Sequence, residues 1–188
     1  KVFTKGDVGS EVSIQSISKV FTMAKVIEER GPDAISGSMG VDATGQVFNS
    51  IIAIEQYKGA EMNPLVNPGA ISATSMVTGP TADAVWKKIM DFHNDSAGRQ
   101  LTVQQDVYKS ESDTNQRNQA IGALMYAYGY IKSNWQQAVD LYTRQCALNV
   151  SARDLAVMGA TLADGGVNPL TKERVVDAAT CHYALAVM

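Results

Sequence analysis

The sequence contains only two cysteines and two histidines, and their spacing suits neither a structural metal site nor a disulfide framework. Cys146 and Cys181 lie in apolar stretches typical of helices, and His93 and His182 are expected at the surface or at helix ends. No apolar run is long enough to span a membrane, and no secretory signal opens the chain. We therefore expect a soluble, cytoplasmic protein that needs neither a metal nor another cofactor.

Charged residues are also few, and neither sign dominates. Charged residues make up 19% of the chain and the net charge is −3, so a broad basic surface for nucleic acid is not expected. There is no internal repeat and no low-complexity linker, and strand-like stretches are few. A chain of 188 residues is long enough to bury one sizeable core. These features predict one mainly helical domain, or part of a larger one.

The most informative stretch begins at Gln15 and contains Ser16 and Lys19, three residues apart. Residues at this spacing lie on one face of a helix, one turn from each other. Gly31 and Pro32 are typical of a helix end, because Gly accepts a left-handed cap and Pro cannot continue a helix. The pattern predicts a helix over residues 17–30, with Ser16 at its first turn.

Ser16 and Lys19 could form a nucleophile and its base. The free N–H groups and the positive dipole at a helix N-terminus favour an oxyanion, and a lysine wedged among apolar residues loses charge through desolvation. Penicillin-recognising serine enzymes use this Ser-x-x-Lys arrangement. The spacing alone is expected about once by chance in such a chain, so a helix-end serine followed by a solvated lysine remains an alternative.

Turn and capping signals predict where the other elements begin and end. Residues 2–4 are predicted as the end of a strand, Asp42 to Gly45 as a turn, and Phe48 to Tyr57 as a short packed segment. Helix starts are predicted at Asn67, a cap followed by Pro68, and at Thr81, whose helix runs to about His93 before a loop over residues 94–98. Capping boxes predict starts at Ser110–Asp113, Ser133–Gln136 and Ser151–Asp154, and the last of these helices stops at Gly165–Gly166. Thr171 is predicted to cap a final helix.

Several stretches together resemble the serine-dependent glutaminase family, and they occur in the family's order across nearly the whole chain. They are Gln15-Ser16-Ile17-Ser18-Lys19, Phe48-Asn49-Ser50, Leu65 to Ile71, Tyr108 to Glu111, Arg117-Asn118, Tyr142 to Cys146, and Gly159 to Pro169. Each stretch alone is weakly specific, and the combination is highly specific.

The resemblance implies an α+β fold like that of the serine β-lactamases and DD-peptidases, with this chain covering mainly the helical lobe and part of the sheet. It implies an amidohydrolase that converts L-glutamine to L-glutamate and ammonia. Ser16 would be acylated, with Lys19 as its base and the Ser16 N–H as an oxyanion donor. Asn67, Glu111, Asn118 and Tyr142 would bind the substrate, and Glu111 is assigned to the α-ammonium group on charge alone. Relatives form dimers or tetramers, so a homo-oligomer is expected.

Each binding residue also has a purely structural interpretation. Asn67 could cap a helix, Glu111 could be a first-turn acid favoured by the helix dipole, and Asn118 could be an exposed amide. Tyr142 could belong to the core, and Ser18 is expected to be structural because it points away from Ser16. Three tyrosines are expected to serve packing alone: Tyr108, Tyr126 and Tyr128.

Two departures from the family pattern qualify the resemblance. Pro68 stands where the family has Ala, which a first helical position tolerates. Family members also continue beyond Met188, with a catalytic Tyr, a Gly-rich stretch that supplies the second oxyanion N–H, and later strands; a further substrate-contacting Tyr precedes Lys1. We therefore expect residues 1–188 to form one partial glutaminase domain, truncated at both ends.

Two other functions remain open from the residues. Another hydrolase of the same fold, acting on β-lactams or peptides, would need a Lys-Thr-Gly strand, which the sequence lacks, and a Ser-x-Asn-type motif, for which Ser112-Asp113-Thr114 is the nearest match. The alternative to an enzyme is a non-catalytic helical module for binding or assembly.

Overall fold

A computed structural model describes residues 2–56 and 62–188, most of which are helical. The helices are α1 Ser18–Arg30, α2 Asp33–Ser36, α3 Ile52–Gln56, α4 Asn67–Met76, α5 Ala82–Ala97, α6 Gln105–Thr114, α7 Gln116–Ala127, α8 Trp135–Cys146, α9 Ala152–Ala163 and α10 Ala178–Val187. None of the helices in this described part is both long enough and apolar enough to cross a membrane.

Two short strands, β1 Glu11–Ser13 and β2 Asn149–Ser151, pair antiparallel, with Val12 opposite Val150. The pairing continues one residue further, because the Ile14 N–H donates to the Leu148 carbonyl at 2.8 Å. The sheet therefore fixes the residues that lead into α1 against the junction between α8 and α9. Helices with this small sheet make the described part an α+β structure, as predicted.

Helix α1 lies at the centre of the core and packs against α2, α4, α5 and α10. Its apolar residues recur at helical spacing and are almost fully buried: Phe21, Met23, Ala24, Val26 and Ile27. Burial of a large apolar side chain contributes about 1.5–3 kcal/mol, so α1 is held firmly in place. Lys19, near the start of this helix, is positioned by that packing.

Several predicted helix ends are confirmed. Gly31 adopts φ 78° and ends α1, in the left-handed region that Gly tolerates. The Thr81 hydroxyl accepts from the Ala84 N–H at the start of α5. The Ser151–Asp154 capping box is complete, since each side chain accepts from the other residue's backbone N–H.

Other predicted starts were wrong. Ser110–Asp113 lies inside α6, because this helix already begins at Gln105. Asn134, rather than Ser133, caps α8. Thr171 starts no helix: residues 167 and 174 form an isolated antiparallel bridge, and Asp177 caps α10 instead. The loop predicted over residues 94–98 is also wrong, because α5 continues to Ala97 and ends at the left-handed Gly98.

The remaining local predictions had mixed outcomes. Residues 2–4 form no strand, and Val2 and Phe3 are largely exposed. The packed segment predicted from Phe48 contains α3, with Ala53 and Ile54 buried, while Tyr57 lies outside the described residues.

Three predictions for aromatic residues were wrong. His93 is 0% exposed, since α5 turns it against Phe21 of α1, with ring centroids 5.5 Å apart. Tyr126 and Tyr128 are about half exposed rather than packed.

Candidate active site

Ser16 lies in a tight 3₁₀ turn, Gln15–Ile17, that joins β1 to α1. The α-helix begins at Ser18, one residue later than predicted, and ends at Arg30 as predicted. Gln15 adopts φ 51°, a left-handed conformation that is uncommon for a residue with a side chain. This turn leaves Ser16 exposed to solvent at the edge of the helical lobe, ahead of the buried α1.

Lys19 is only 3% exposed. Its ammonium group donates to Asn67 Oδ1 at 2.8 Å and to the Leu65 carbonyl at 3.3 Å. The rings of Phe48 and Tyr142 lie 5.8 and 5.9 Å from the nitrogen. Lys19 is therefore not the solvated surface lysine of the alternative interpretation.

Burial lowers the pKa of Lys19 from 10.5 to about 8. No carboxylate forms an ion pair with this amine among the residues described, so little opposes the effect of burial. About half of the Lys19 side chains are uncharged at pH 8, and a neutral amine can accept a proton. Lys19 thus has the property that a general base needs.

A cavity of about 240 Å³ opens beside the Ser16 turn. Its walls include all of the predicted substrate-binding residues, Ser16, Asn67, Glu111, Asn118 and Tyr142. Pockets for drug-sized ligands are larger, at roughly 300–1,000 Å³, so this cavity suits a molecule of amino-acid size. Residues far apart in sequence are brought together here by the packing of α4, α6, α7 and α8 beside the Ser16 turn.

Asn67 links the lysine to the cavity wall. Its Oδ1 accepts from Lys19 and from the Tyr142 hydroxyl at 3.1 Å, and its Nδ2 donates to Asn118 Oδ1 at 2.9 Å. The predicted capping role was wrong: Val66 is the N-cap of α4, and Asn67 is the first helical residue, with no side-chain cap bond. The Asn67 amide instead orients three cavity residues.

Tyr142 is 4% exposed, so it belongs to the core and to the cavity at once. Burial raises the pKa of its hydroxyl far above the ordinary value, while the nearby Ser16 hydroxyl opposes this rise slightly. At neutral pH Tyr142 is therefore a hydrogen-bond donor, and it uses its proton on Asn67.

Glu111 is exposed at the cavity mouth. The first-turn interpretation was wrong, because Glu111 is the seventh residue of α6 and lies away from the helix N-terminus. Within residues 2–56 and 62–188 its carboxylate forms no salt bridge. Its negative charge is thus available to a cationic group in the cavity. Asn118 is half-buried rather than exposed.

The cavity also contains residues to which sequence reasoning gave no role. Arg117 Nε donates to the Asn49 carbonyl at 3.0 Å, and the Asn67 N–H donates to the Phe48 carbonyl at 2.6 Å. These two bonds attach the Phe48–Asn49 wall to α7 and α4. The signal for Arg117 was its position next to Asn118.

The residues described contain no group of three or more His, Cys, Asp or Glu side chains that could hold a metal ion. Cys146 and Cys181 are both free and buried, in α8 and α10 as predicted. Cys146 lines the cavity, and burial raises the pKa of its thiol. A thiol that stays protonated is a poor nucleophile.

Comparison with known proteins agrees with this geometry. The chain is 53% identical to Glutaminase 2 of Yersinia pestis over all 188 residues, and 46% identical to a glutaminase of Mycobacterium ulcerans over the same length. It spans 55 and 59% of the length of these two relatives, which is less than two thirds.

The fold is also shared with solved structures. A structure of the probable glutaminase ybaS superposes with a TM-score of 0.95 at 42% identity, covering 98% of this chain and 60% of that one. The predicted fold class is thereby confirmed, since the structural neighbours are glutaminases. The family model described as Glutaminase matches residues 1–188, and the chain belongs to the glutaminase family.

Proposed function

We propose that the full-length protein hydrolyses L-glutamine to L-glutamate and ammonia through an acyl-enzyme on Ser16. Membership of the glutaminase family supports the substrate and the reaction. The observation that carries the mechanism is the buried amine of Lys19, whose pKa is lowered to about 8 and which is hydrogen-bonded to a wall residue of the Ser16 cavity. A nucleophile, a base three residues further along the chain and an amino-acid-sized cavity are the parts that acyl transfer requires.

The reaction proceeds in two steps. The neutral amine of Lys19 takes the Ser16 proton as the oxygen attacks the side-chain carboxamide, and the resulting oxyanion accepts a hydrogen bond from the Ser16 N–H. The C–N bond breaks, and the departing nitrogen receives the proton and leaves as ammonia. Water then attacks the γ-glutamyl ester, with Lys19 as base again, and releases glutamate and the free serine hydroxyl.

The cavity suits the two charged ends of the substrate. Glu111 supplies the anion for the α-ammonium group, and the amides of Asn67 and Asn118 can donate hydrogen bonds to the α-carboxylate. Tyr142 holds Asn67 in the orientation that serves both Lys19 and the substrate.

Replacing Glu111 by Gln is expected to raise KM for glutamine about 10- to 100-fold with a smaller change in kcat. A hydrogen bond to a charged group contributes about 1.5–3 kcal/mol, and the substituted amide keeps the shape but loses the charge. Steady-state kinetics on the full-length protein measures this. Asp113→Asn is the matched control, since Asp113 is exposed on the same helix outside the cavity, and an unchanged KM in Glu111→Gln would remove the assignment.

The proposed activity is tested directly by ammonia release from L-glutamine. We expect ammonia and glutamate in equal amounts. Hydrolysis of a chromogenic cephalosporin without ammonia release would indicate another hydrolase of the β-lactamase-like fold. Ligand or partner binding that is unaffected by Ser16→Ala, with no hydrolysis of either substrate, would indicate a non-catalytic module.

A cytoplasmic homo-oligomer, dimer or tetramer, is part of the same proposal. Two free, buried cysteines suit a reducing compartment. Light scattering on the full-length protein tests the assembly, and a monomer at micromolar concentration would contradict it.

A further inference from the structure

A buried polar network lies next to the Ser16 turn and reaches the cavity residue Cys146, whose Sγ is 3.7 Å from Ser18 Oγ. Its members are Thr22 and Ser18 of α1 and Gln145 of α8, and at most 2% of each residue is exposed. Buried polar groups are retained only when they are hydrogen-bonded, so such a cluster beside a reactive serine needs an explanation.

Three hydrogen bonds lead from Thr22 through Gln145 and Ser18 to the Gln15 carbonyl. The Thr22 hydroxyl donates to Gln145 Oε1 at 2.8 Å, Gln145 Nε2 donates to Ser18 Oγ at 3.4 Å, and Ser18 Oγ donates to the Gln15 carbonyl at 2.7 Å. The Gln145 amide is thus held between Thr22 and Ser18. That amide occupies a lone pair of Ser18 Oγ and leaves the Ser18 proton for the Gln15 carbonyl.

The Gln15 carbonyl belongs to the same peptide group as the Ser16 N–H. Because a trans peptide is planar, its C=O and N–H point in opposite directions, and fixing one fixes the other. The Ser18 backbone N–H also donates to this carbonyl. The peptide follows a left-handed Gln15, a conformation that costs about 1–2 kcal/mol for an L-residue, so the turn needs such support.

We propose that Ser18 and Gln145 are positioning residues that orient the Ser16 N–H as an oxyanion donor by holding the Gln15 carbonyl. The inference rests on the proposed acyl-enzyme mechanism. It gives a role to polar side chains that are costly to bury. Neither Ser18 nor Gln145 lines the cavity, so both act on the substrate site through the Gln15–Ser16 peptide.

Ser18→Ala in the full-length protein is expected to lower kcat about 10-fold with KM within twofold of wild type. Complete loss of an oxyanion donor costs about 10²–10³ in kcat, and here the donor remains but is held less firmly. Gln145→Met, of similar shape, should give a comparable decrease. The double variant should lose no more than the larger single decrease, because both changes act on one carbonyl.

The rates are expressed per active site, counted by covalent labelling with a diazoketone analogue of glutamine, so that misfolded protein does not contribute. Ser96→Ala is the matched control: Ser96 is equally buried and its hydroxyl donates to the Phe92 carbonyl at 2.7 Å, remote from the cavity. It should lower Tm without lowering kcat.

An unchanged kcat in Ser18→Ala, beside an active wild-type protein, would overturn the positioning role and leave the proposed function intact. Independent, multiplicative losses in the double variant would overturn it too. A wild-type protein that releases no ammonia would contradict the proposed function itself, so the two failures are distinguishable.

Discussion

Ser16→Ala in the full-length protein abolishes glutamine hydrolysis, with an expected loss of about 10⁴-fold or more, while the fold persists. The loss follows because Ser16 supplies the attacking oxygen in the proposed mechanism, and no other serine lines the described part of the cavity. Ser16 is exposed and its hydroxyl supports no packing, so the free energy of unfolding should change by no more than about 0.5 kcal/mol.

The comparison requires ammonia release and thermal unfolding on the same preparations. Ser36→Ala is a suitable control, since Ser36 is an exposed serine of α2 outside the cavity. It should keep full activity. A Ser16→Ala protein that retains a tenth of wild-type activity would mean that the nucleophile is elsewhere.

Lys19→Met is expected to lower kcat about 10²- to 10⁴-fold, the range for loss of a positioned general base. The same substitution should raise stability near pH 7. The folded pKa of Lys19, about 8, lies below its unfolded value of 10.5, so the folded state releases a proton that the unfolded state keeps. Wild-type stability therefore rises with pH between 8 and 10.5, and below pH 8 the buried ammonium group destabilises the fold.

Methionine carries no charge to desolvate, so the Tm advantage of Lys19→Met over wild type should be largest below pH 8 and should shrink towards pH 10.5. Thermal unfolding at a series of pH values measures this, with the exposed Lys132→Met as control. In parallel, wild-type kcat/KM should rise with pH through about 8 as the amine loses its proton. A flat rate profile between pH 6 and 9, or an active Lys19→Met enzyme, would contradict the assigned base.

Some local signals predicted local structure correctly, whereas those at Ser110–Asp113, Ser133 and Thr171 did not. The Ser151–Asp154 box and the Thr81 cap depend on backbone groups three residues away, and both formed as expected. The Ser16–Lys19 spacing belongs to the same class, because one helical turn determines which side chains share a face. The resemblance to the glutaminase family then identified the cavity residues without any knowledge of how they meet.

Local sequence patterns did not predict contacts between residues that are distant in sequence. Asn is a residue type that often caps helices, but the Asn67 amide is hydrogen-bonded to Lys19, Tyr142 and Asn118, which lie 48 to 75 residues away in sequence. The burial of His93 depends on how α5 rotates against α1. Burial lowers the pKa of His93 to about 4, so it stays neutral, whereas the sequence favoured a surface residue.

The buried polar network of Thr22, Ser18 and Gln145 could not be predicted from local sequence patterns either. A glutamine between Arg144 and Cys146 carries no local signal, and its role depends on the packing of α8 against the start of α1. Its position three residues after Tyr142 places both on one face of α8, which is the sequence feature that could have indicated it.

Rapid acid quenching of the full-length protein during turnover of L-glutamine, followed by peptide mass spectrometry, tests whether Ser16 is acylated. We expect a γ-glutamyl ester on the peptide that contains Ser16, with fragmentation placing it on that residue, and no such adduct in Ser16→Ala. An adduct on Ser18 or on the cavity thiol of Cys146 would contradict this expectation.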